Sequence, residues 1–332
     1  MIPGIEGFVT HMIANRTVVE EEGGPDSMFE ALQKEDIGLR RRPIEGGMLK
    51  GGMYTRHFAV NYGMPYKFIA ATESHPFPGA SHPISIARSR LNWAAKHCLS
   101  QAPATRSSCS PSDAEDADDD VTNTSAVEQA TQDFGAGFNE VLALCYFESQ
   151  RISYHDDGES GLGPTIATLS LGSPGTMRLR LKAKHHLGAS NAGIYTDSPP
   201  LPGCAKYPER LALQDELRAL KGRASTSEYR TRLKEVPKEL GLKTTGNAKD
   251  VLTMKVAHGD VVVMHGAALQ RYYEHSVDHG EKLRFALTCR YIDPESLGEG
   301  EKPSYPVEDD DGSYNGAAVG GGGSCSAMDH SL

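Results

Sequence analysis

The chain has 332 residues, of which 38% are hydrophobic, and its formal net charge is -10. This composition is sufficient for a sizeable folded core, and the acidic balance argues weakly against tight general binding to nucleic acid. No run approaches the roughly 18–20 apolar residues that span a bilayer, and the N-terminus lacks a signal-peptide pattern, so we expect an intracellular protein, nuclear or cytoplasmic, without a membrane partner.

The N-terminal part, residues 1–99, combines two helical patterns with a strand pattern. Helical spacing occurs in "SMFEALQKEDI" and "ISIARSRLNWAAKHCL", and "MYTRHFAVNYG" alternates like a strand that ends in a turn. We expect this part to supply N-terminal helices and the strands of a lid. Residues 100–130 follow, rich in Ser, Ala, Thr and Asp with almost no large apolar side chain, and they predict a disordered acidic insertion.

Later segments show the period-two, β-rich pattern of strands. They fall in two blocks, residues 131–184 and 250–293, which we expect to form the first and second parts of one barrel core. The pattern favours an antiparallel sandwich or barrel. The segments are "FNEVLALCYFESQRISYH", "TIATLSLG", "TMRLRLKAK", "VLTMKVAHGDVVVMHG" and "KLRFALTCRYI".

Between these blocks, residues 185–249 predict a helical insertion, whose second helix opens with a Ser225-x-x-Glu228 capping box. Within it, residues 205–249 contain eleven Lys or Arg against six Asp or Glu. We interpret this as a solvated basic helix surface, with a contact face for an acidic partner as the alternative. Residues 294–332, ending in "NGAAVGGGGSCSAMDHSL", predict a disordered tail.

An H-x-D motif lies at the end of the first strand segment, in "ISYHDDGESG". Because residues i and i+2 of a strand point to the same side, His155 and Asp157 can present an imidazole and a carboxylate to one point, while Asp156 faces away. A second histidine would complete the two-histidine, one-carboxylate set of non-haem Fe(II) oxygenases, and His275 in "QRYYEHSV" is the best candidate. The second H-x-D, His258-Gly259-Asp260, lies at a predicted turn, where we expect no metal.

Two arginines share one face of the strand "RFALTCR". Arg284 and Arg290 point to the same side as Ala286 and Thr288, whereas the intervening residues point to the other side. Two guanidinium groups aimed into one space suit a small dicarboxylate, since the planar fork of Arg binds a carboxylate through two hydrogen bonds.

In their order along the chain, these motifs resemble the AlkB-like family of Fe(II)- and 2-oxoglutarate-dependent dioxygenases. The resemblance rests on "FNEVLALCY", "HDDGE", "IATLSLG", "VAHGDVVVMHG", "YYEHS" and "RFALTCR". It implies a mainly β fold with flanking helices (α+β), built on a double-stranded β-helix (jelly-roll) core. It also implies Fe(II), 2-oxoglutarate and O2 as cofactors.

The resemblance assigns roles to particular residues. His155, Asp157 and His275 match the metal ligands. Tyr146, Arg284 and Arg290 match residues that bind 2-oxoglutarate. The family often has asparagines at the positions of Leu144 and Ala286, so two polar contacts to the cosubstrate are missing here.

The resemblance further implies oxidative demethylation of N-alkylated nucleobases in DNA or RNA, with the target base flipped or already unpaired. Substrate contacts are expected from Arg56, His57, Tyr62 and the "YGMPYKF" turn, with core packing as the alternative for Tyr62. Two alternatives stay open: an oxygenase that acts on a methylated protein or a small molecule, and a catalytically impaired barrel that serves as a binding module.

Overall fold

A computed structural model of the chain describes residues 2, 4–15, 23–41, 43–44, 53–66, 73–102, 134–135, 137–148, 150–223, 225–280, 282–310 and 312–316. Most of the predicted insertion, residues 103–130, therefore lies outside the described residues. Among the described residues, no helix is both long and apolar enough to cross a membrane.

Two mostly antiparallel sheets face each other, and the alternating segments of the sequence supply both. The large sheet has the order β1-β13-β8-β15-β6-β4-β5. Its strands are β1 (Phe8–Met12), β4 (Phe58–Gly63), β5 (Ser74–His75), β6 (Glu140–Tyr146), β8 (Leu162–Gly172), β13 (Val261–His265) and β15 (Arg284–Ile292).

The small sheet has the order β12-β9-β14-β7. Its strands are β7 (Arg151–His155), β9 (Gly175–Leu181), β12 (Asp250–Val256) and β14 (Tyr273–His279). Two short ladders complete the strands: β2 (Pro43–Ile44) with β3 (Met53–Tyr54), and β10 (Ala189–Ser190) with β11 (Gly193–Ile194). This architecture confirms the predicted jelly-roll core with flanking helices.

Helices cover the outer face of the large sheet. The two N-terminal helices, α1 (Pro25–Lys34) and α2 (Pro83–Gln101), bury Met28, Leu91 and Leu99 against side chains such as Phe285 and Leu287 of β15. The remaining helices are α3 (Ala183–Leu187), α4 (Tyr207–Arg223), α5 (Thr226–Glu239), α6 (Ala267–Tyr272) and a 3-10 turn at Pro294–Ser296. The predicted capping box at Ser225 and Glu228 is present at the start of α5.

The predicted disordered tail requires a correction in its first part. Residues 294–310 and 312–316 lie against the barrel and α2: the Tyr305 hydroxyl donates to Gly63 O at 3.0 Å, and Arg88 donates to Glu308 O at 2.8 Å. Tyr314 contacts the Trp93 ring edge-on. These hydrogen bonds and the aromatic contact hold the segment against the domain, although its polar composition predicted no ordered structure. Residues 317–332 lie outside the described residues.

The second H-x-D motif is a structural junction, as its turn position predicts. Asp260 is buried and accepts hydrogen bonds from the amides of Ala14 and Ala257, at 3.0 and 2.8 Å, and from His11 Nε2 at 2.9 Å. His258 accepts from the Gly172 amide through Nδ1 at 2.7 Å, and its Nε2 lies 2.9 Å from Asp26. These contacts tie β1, the β12–β13 turn and α1 together.

We therefore expect Asp260→Ala to lower the free energy of unfolding by about 3 kcal/mol, because three donors lose a buried, charged acceptor. Burial alone would raise the pKa of Asp260, but the hydrogen bonds from His11 and the two amides lower it. The stabilisation is accordingly present above the ordinary Asp pKa and is lost as pH falls through the lowered pKa of the folded state.

Urea unfolding at several pH values measures this effect, with Glu30→Ala as the control, since Glu30 forms an exposed pair with Lys34 on α1. Equal stability losses in the two variants would contradict the role given to Asp260.

Candidate active site

The register between two strands of the small sheet brings the first two site residues together. β14 pairs antiparallel with β7 so that His275 is the direct partner of His155, and the two ring centres are 4.3 Å apart. His275 lies inside β14, on its pocket side. Cross-strand partners are the closest side chains that two strands can offer, so pairing alone fixes this contact.

Asp157 follows β7 and completes the cluster. His155, Asp157 and His275 offer ligand atoms that all lie within 4.8 Å of one another. His275 Nε2 is 3.7 Å from Asp157 Oδ2. Two imidazoles and one carboxylate are the donor set that suits a non-haem iron, so these residues fit the metal that the sequence predicts.

His155 is held in the tautomer that metal binding needs. Its Nδ1 lies 2.8 Å from Ser153 O, and because a carbonyl only accepts, Nδ1 carries the proton. Nε2 is then the nitrogen of this tautomer that can act as a metal ligand.

The protonation states of the other two residues also suit a cation. Burial, with the nearby His155, lowers the pKa of His275 to about 4, so its imidazole is neutral at pH 7. Burial alone would raise the pKa of Asp157, but the charge of Arg290, with His275 and His155, lowers it to about 2. Asp157 is therefore an anion at neutral pH.

Asp156 faces away, as predicted. Its carboxylate lies 2.8 Å from Lys182 Nζ and accepts the Gly158 amide at 3.0 Å. Lys182 also donates to Gln270 O at 2.8 Å, which links the H-x-D turn to α6. The second aspartate of the motif thus shapes the turn that carries Asp157.

Arg284 is a buried cation at the opposite end of the same pocket. It is 3% exposed, its Nη2 donates to Ser170 Oγ at 2.8 Å, and its guanidinium lies 5.5 Å from the Tyr146 ring centre. Burial lowers its pKa, and within the described part of the chain no carboxylate contacts it. A buried guanidinium without an anionic partner is costly, and an anionic ligand would relieve that cost.

Arg290 has different surroundings from Arg284. Its Nη2 donates to Asp157 Oδ1 at 3.0 Å, and its Nη1 lies 3.5 Å from Glu140 Oε2. The Tyr66 ring covers the guanidinium at 4.3 Å. Arg290 therefore has an anionic partner in Asp157 and a second carboxyl group beside it.

The two missing asparagines meet in one place. Leu144 of β6 and Ala286 of β15 are direct cross-strand partners, and both line the pocket between the sheets. The nearest polar pair on the same wall is Thr168 with Thr288, whose hydroxyl oxygens are 3.0 Å apart. Leu144 and Ala286 thus form an apolar part of the pocket wall, which lies between Arg284 at one end of the pocket and Arg290 at the other.

The predicted substrate residues fall in different places. His57 lies at the pocket, with its ring centre 5.7 Å from that of Tyr146, and burial with the charge of His155 lowers its pKa to about 4. Arg56 is exposed beside it. Tyr62 requires a correction: it belongs to the core under the helices, where its hydroxyl donates to Ile37 O at 3.1 Å. Strand alternation sends Ala59 of β4 to the pocket side and Tyr62 to the other.

Sequence reasoning missed Glu140 and the position of Tyr66. Glu140 stands on the same face of β6 as Leu142, Leu144 and Tyr146, so a carboxylate on an apolar strand face was the available signal. Because β6 is buried on both faces, alternation did not tell which of its faces lines a pocket.

Comparison with known proteins identifies the family. Residues 80–292, well over half of the chain, match the model of the 2OG-Fe(II) oxygenase superfamily. A solved structure described as "The structure of OsALKBH1" aligns with a TM-score of 0.37 and 12% identity, covering 84% of this chain and 97% of that one. No match was found among curated proteins.

The predicted Fe(II), 2-oxoglutarate and O2 are the cofactors of this superfamily, and the His155–Asp157–His275 cluster fits its metal. The chain belongs to the 2OG-Fe(II) oxygenase superfamily and is a 2-oxoglutarate-dependent dioxygenase.

Proposed function

We propose that this dioxygenase oxidatively demethylates N-alkylated nucleobases in DNA or RNA. The observation that carries the proposal is the pocket itself: a two-histidine, one-carboxylate cluster at one end and the unneutralised guanidinium of Arg284 at the other. The motifs that build this pocket are those of the AlkB-like resemblance.

In this proposal His155, Asp157 and His275 hold Fe(II), while Tyr146, Arg284 and Arg290 hold 2-oxoglutarate. Arg284, with no carboxylate partner among the described residues, receives the distal carboxylate of the cosubstrate, and Ser170 and the Tyr146 ring fix the direction of its guanidinium. Bound together, Fe(II), 2-oxoglutarate and O2 supply the oxidation of a C–H bond, and the protein orients the substrate and excludes water.

An aromatic and basic patch lies at the ends of β4 and β6. Phe147 directly follows the pocket residue Tyr146, is 48% exposed and contacts Phe58 edge-on. Phe58 packs against the core under the helices, so the patch is on the helix side of the large sheet; Arg41 lies 5.3 Å from the Phe58 ring centre, and Arg56 is exposed close by in sequence. Exposed aromatic rings stack on bases and arginines contact phosphates, so the patch suits a nucleic acid that runs past the pocket.

The basic helical pair remains a separate prediction. α4 and α5 lie in the segment with excess Lys and Arg, and some of these charges are already paired, as in Arg232 with Glu216 and Glu239. Binding of an acidic partner by the other charges is a proposal, as is the nuclear or cytoplasmic location.

A substrate panel tests the proposed function. We expect formaldehyde release, coupled to succinate formation, from single-stranded DNA or RNA that carries N-methylated bases. Methylated peptides and free methylated nucleosides are the comparison substrates. Turnover of peptides with none of nucleic acid would refute the nucleobase proposal and leave the oxygenase assignment intact.

The metal site is tested by His155→Ala. Loss of one of three protein ligands is expected to weaken Fe(II) binding by at least about 100-fold, measured anaerobically by calorimetry. His258→Ala is the matched control, because His258 also belongs to an H-x-D sequence but pairs with Asp26. Equal Fe(II) affinities of the two variants would contradict the assigned ligands.

The cosubstrate site is tested by Arg284→Met. We expect about a 100-fold weaker affinity for 2-oxoglutarate, because a buried charge-assisted contact is lost, and unchanged Fe(II) affinity. Arg178→Met is the control, since Arg178 pairs with Asp278 outside the pocket. If Arg284→Met binds 2-oxoglutarate as the wild type does, the distal carboxylate binds elsewhere.

A further inference from the structure

Glu140 is an unusual residue for the interior of a β-sheet. It is 0% exposed, and neither carboxylate oxygen makes a hydrogen bond to any described residue. Its one ion pair in the described part of the chain is with Arg290, whose Nη1 lies 3.5 Å from Glu140 Oε2. Removing a carboxyl group from water is costly, so a side chain of this kind needs an interaction that offsets the cost.

Strand register explains how Glu140 meets Arg290. β6 and β15 are antiparallel, and Glu140 is the direct cross-strand partner of Arg290. The two side chains therefore leave the sheet side by side, on the pocket face that also carries Leu144 and Ala286.

The guanidinium of Arg290 is confined by groups in three directions. Asp157 accepts from Nη2 at 3.0 Å, Glu140 lies beside Nη1 at 3.5 Å, and the Tyr66 ring covers one face at 4.3 Å. An arginine side chain has several rotatable bonds, and contacts of this kind select one orientation of its plane. Glu140 supplies the contact to Nη1, whereas the metal ligand Asp157 is bound by Nη2.

We propose that Glu140 is a positioning residue for cosubstrate binding, which holds Arg290 from the side opposite Asp157. The proposal rests on the proposed function, in which Arg290 lies near the metal-proximal end of 2-oxoglutarate. Without Glu140, the guanidinium is free to turn further onto Asp157 and loses the orientation in which it meets the cosubstrate.

The contact needs an acceptor oxygen rather than a full negative charge. Burial raises the pKa of Glu140 to about 8, although Arg290 acts in the opposite direction. Either protonation state offers Arg290 an acceptor oxygen, and so does the amide of glutamine. Glu140→Gln should therefore preserve the orientation of Arg290, whereas Glu140→Leu and the shorter Glu140→Asp should not.

The experiment is a double-mutant cycle in the full-length chain. Anaerobic protein with Fe(II) is titrated with 2-oxoglutarate, followed by calorimetry and by the visible metal-to-ligand absorption band. We expect wild-type affinity for Glu140→Gln and about tenfold weaker affinity for Glu140→Leu and Glu140→Asp. In an Arg290→Met background, Glu140→Leu should add less than about twofold, because its effect passes through Arg290.

Val141→Ala is the matched control, since Val141 neighbours Glu140 but packs in the core on the opposite face of β6. It should lower the unfolding temperature while leaving 2-oxoglutarate affinity unchanged. If Glu140→Leu fails to fold, Glu140→Asp and Glu140→Gln carry the comparison.

Wild-type affinity in both Glu140→Asp and Glu140→Leu would overturn the positioning role alone. The role would also be overturned if Glu140→Leu weakened 2-oxoglutarate affinity as much in the Arg290→Met background as in the wild-type background. Absence of 2-oxoglutarate binding by the wild-type protein would overturn the proposed function, and the inference with it.

Discussion

The antiparallel register between β7 and β14 is the constraint on which the active site depends. Because His155 and His275 are direct cross-strand partners, the small sheet brings two imidazoles together without any loop to position them. Asp157 is the one member of the cluster that lies in a turn. Lys182 stabilises this turn, because its ammonium group pairs with Asp156 and donates a hydrogen bond to Gln270 O. A slip of one residue in this register would send one histidine to the other face of the sheet, so folding and metal binding depend on the same pairing.

The pocket buries charge unevenly, and this asymmetry matches a ligand with two different ends. Arg290 lies between Asp157 and Glu140, so that end of the pocket is neutral or negative until a cation binds. Arg284 contacts a hydroxyl and an aromatic ring but no carboxylate among the described residues. A metal at the first end and a carboxylate at the second would each offset the cost of removing the charges at that end from water.

The sequence predicts the fold and the metal cluster well, because strand alternation and H-x-D spacing are local signals. Alternation predicts that Arg284 and Arg290 share one face of β15, and the two arginines mark that face as the pocket side although the strand is buried on both faces. The placement of Tyr62 does not follow from alternation, since its strand is buried on both faces and no local signal tells which of them lines a pocket. The contacts of Glu140 and the packing of Tyr305 and Tyr314 depend on partners far away in the chain, which periodicity cannot supply.

Leu144 and Ala286, which stand where the AlkB-like family often has asparagines, lie side by side in the pocket wall. As cross-strand partners they form one apolar contact in the pocket wall, and the other cross-strand partner of Ala286 is Ser170. In the proposed function, cosubstrate binding depends chiefly on the two ends of the pocket, where the arginines lie. On this argument the carboxyl group of Glu140 contributes to cosubstrate binding too, since it orients one of those ends.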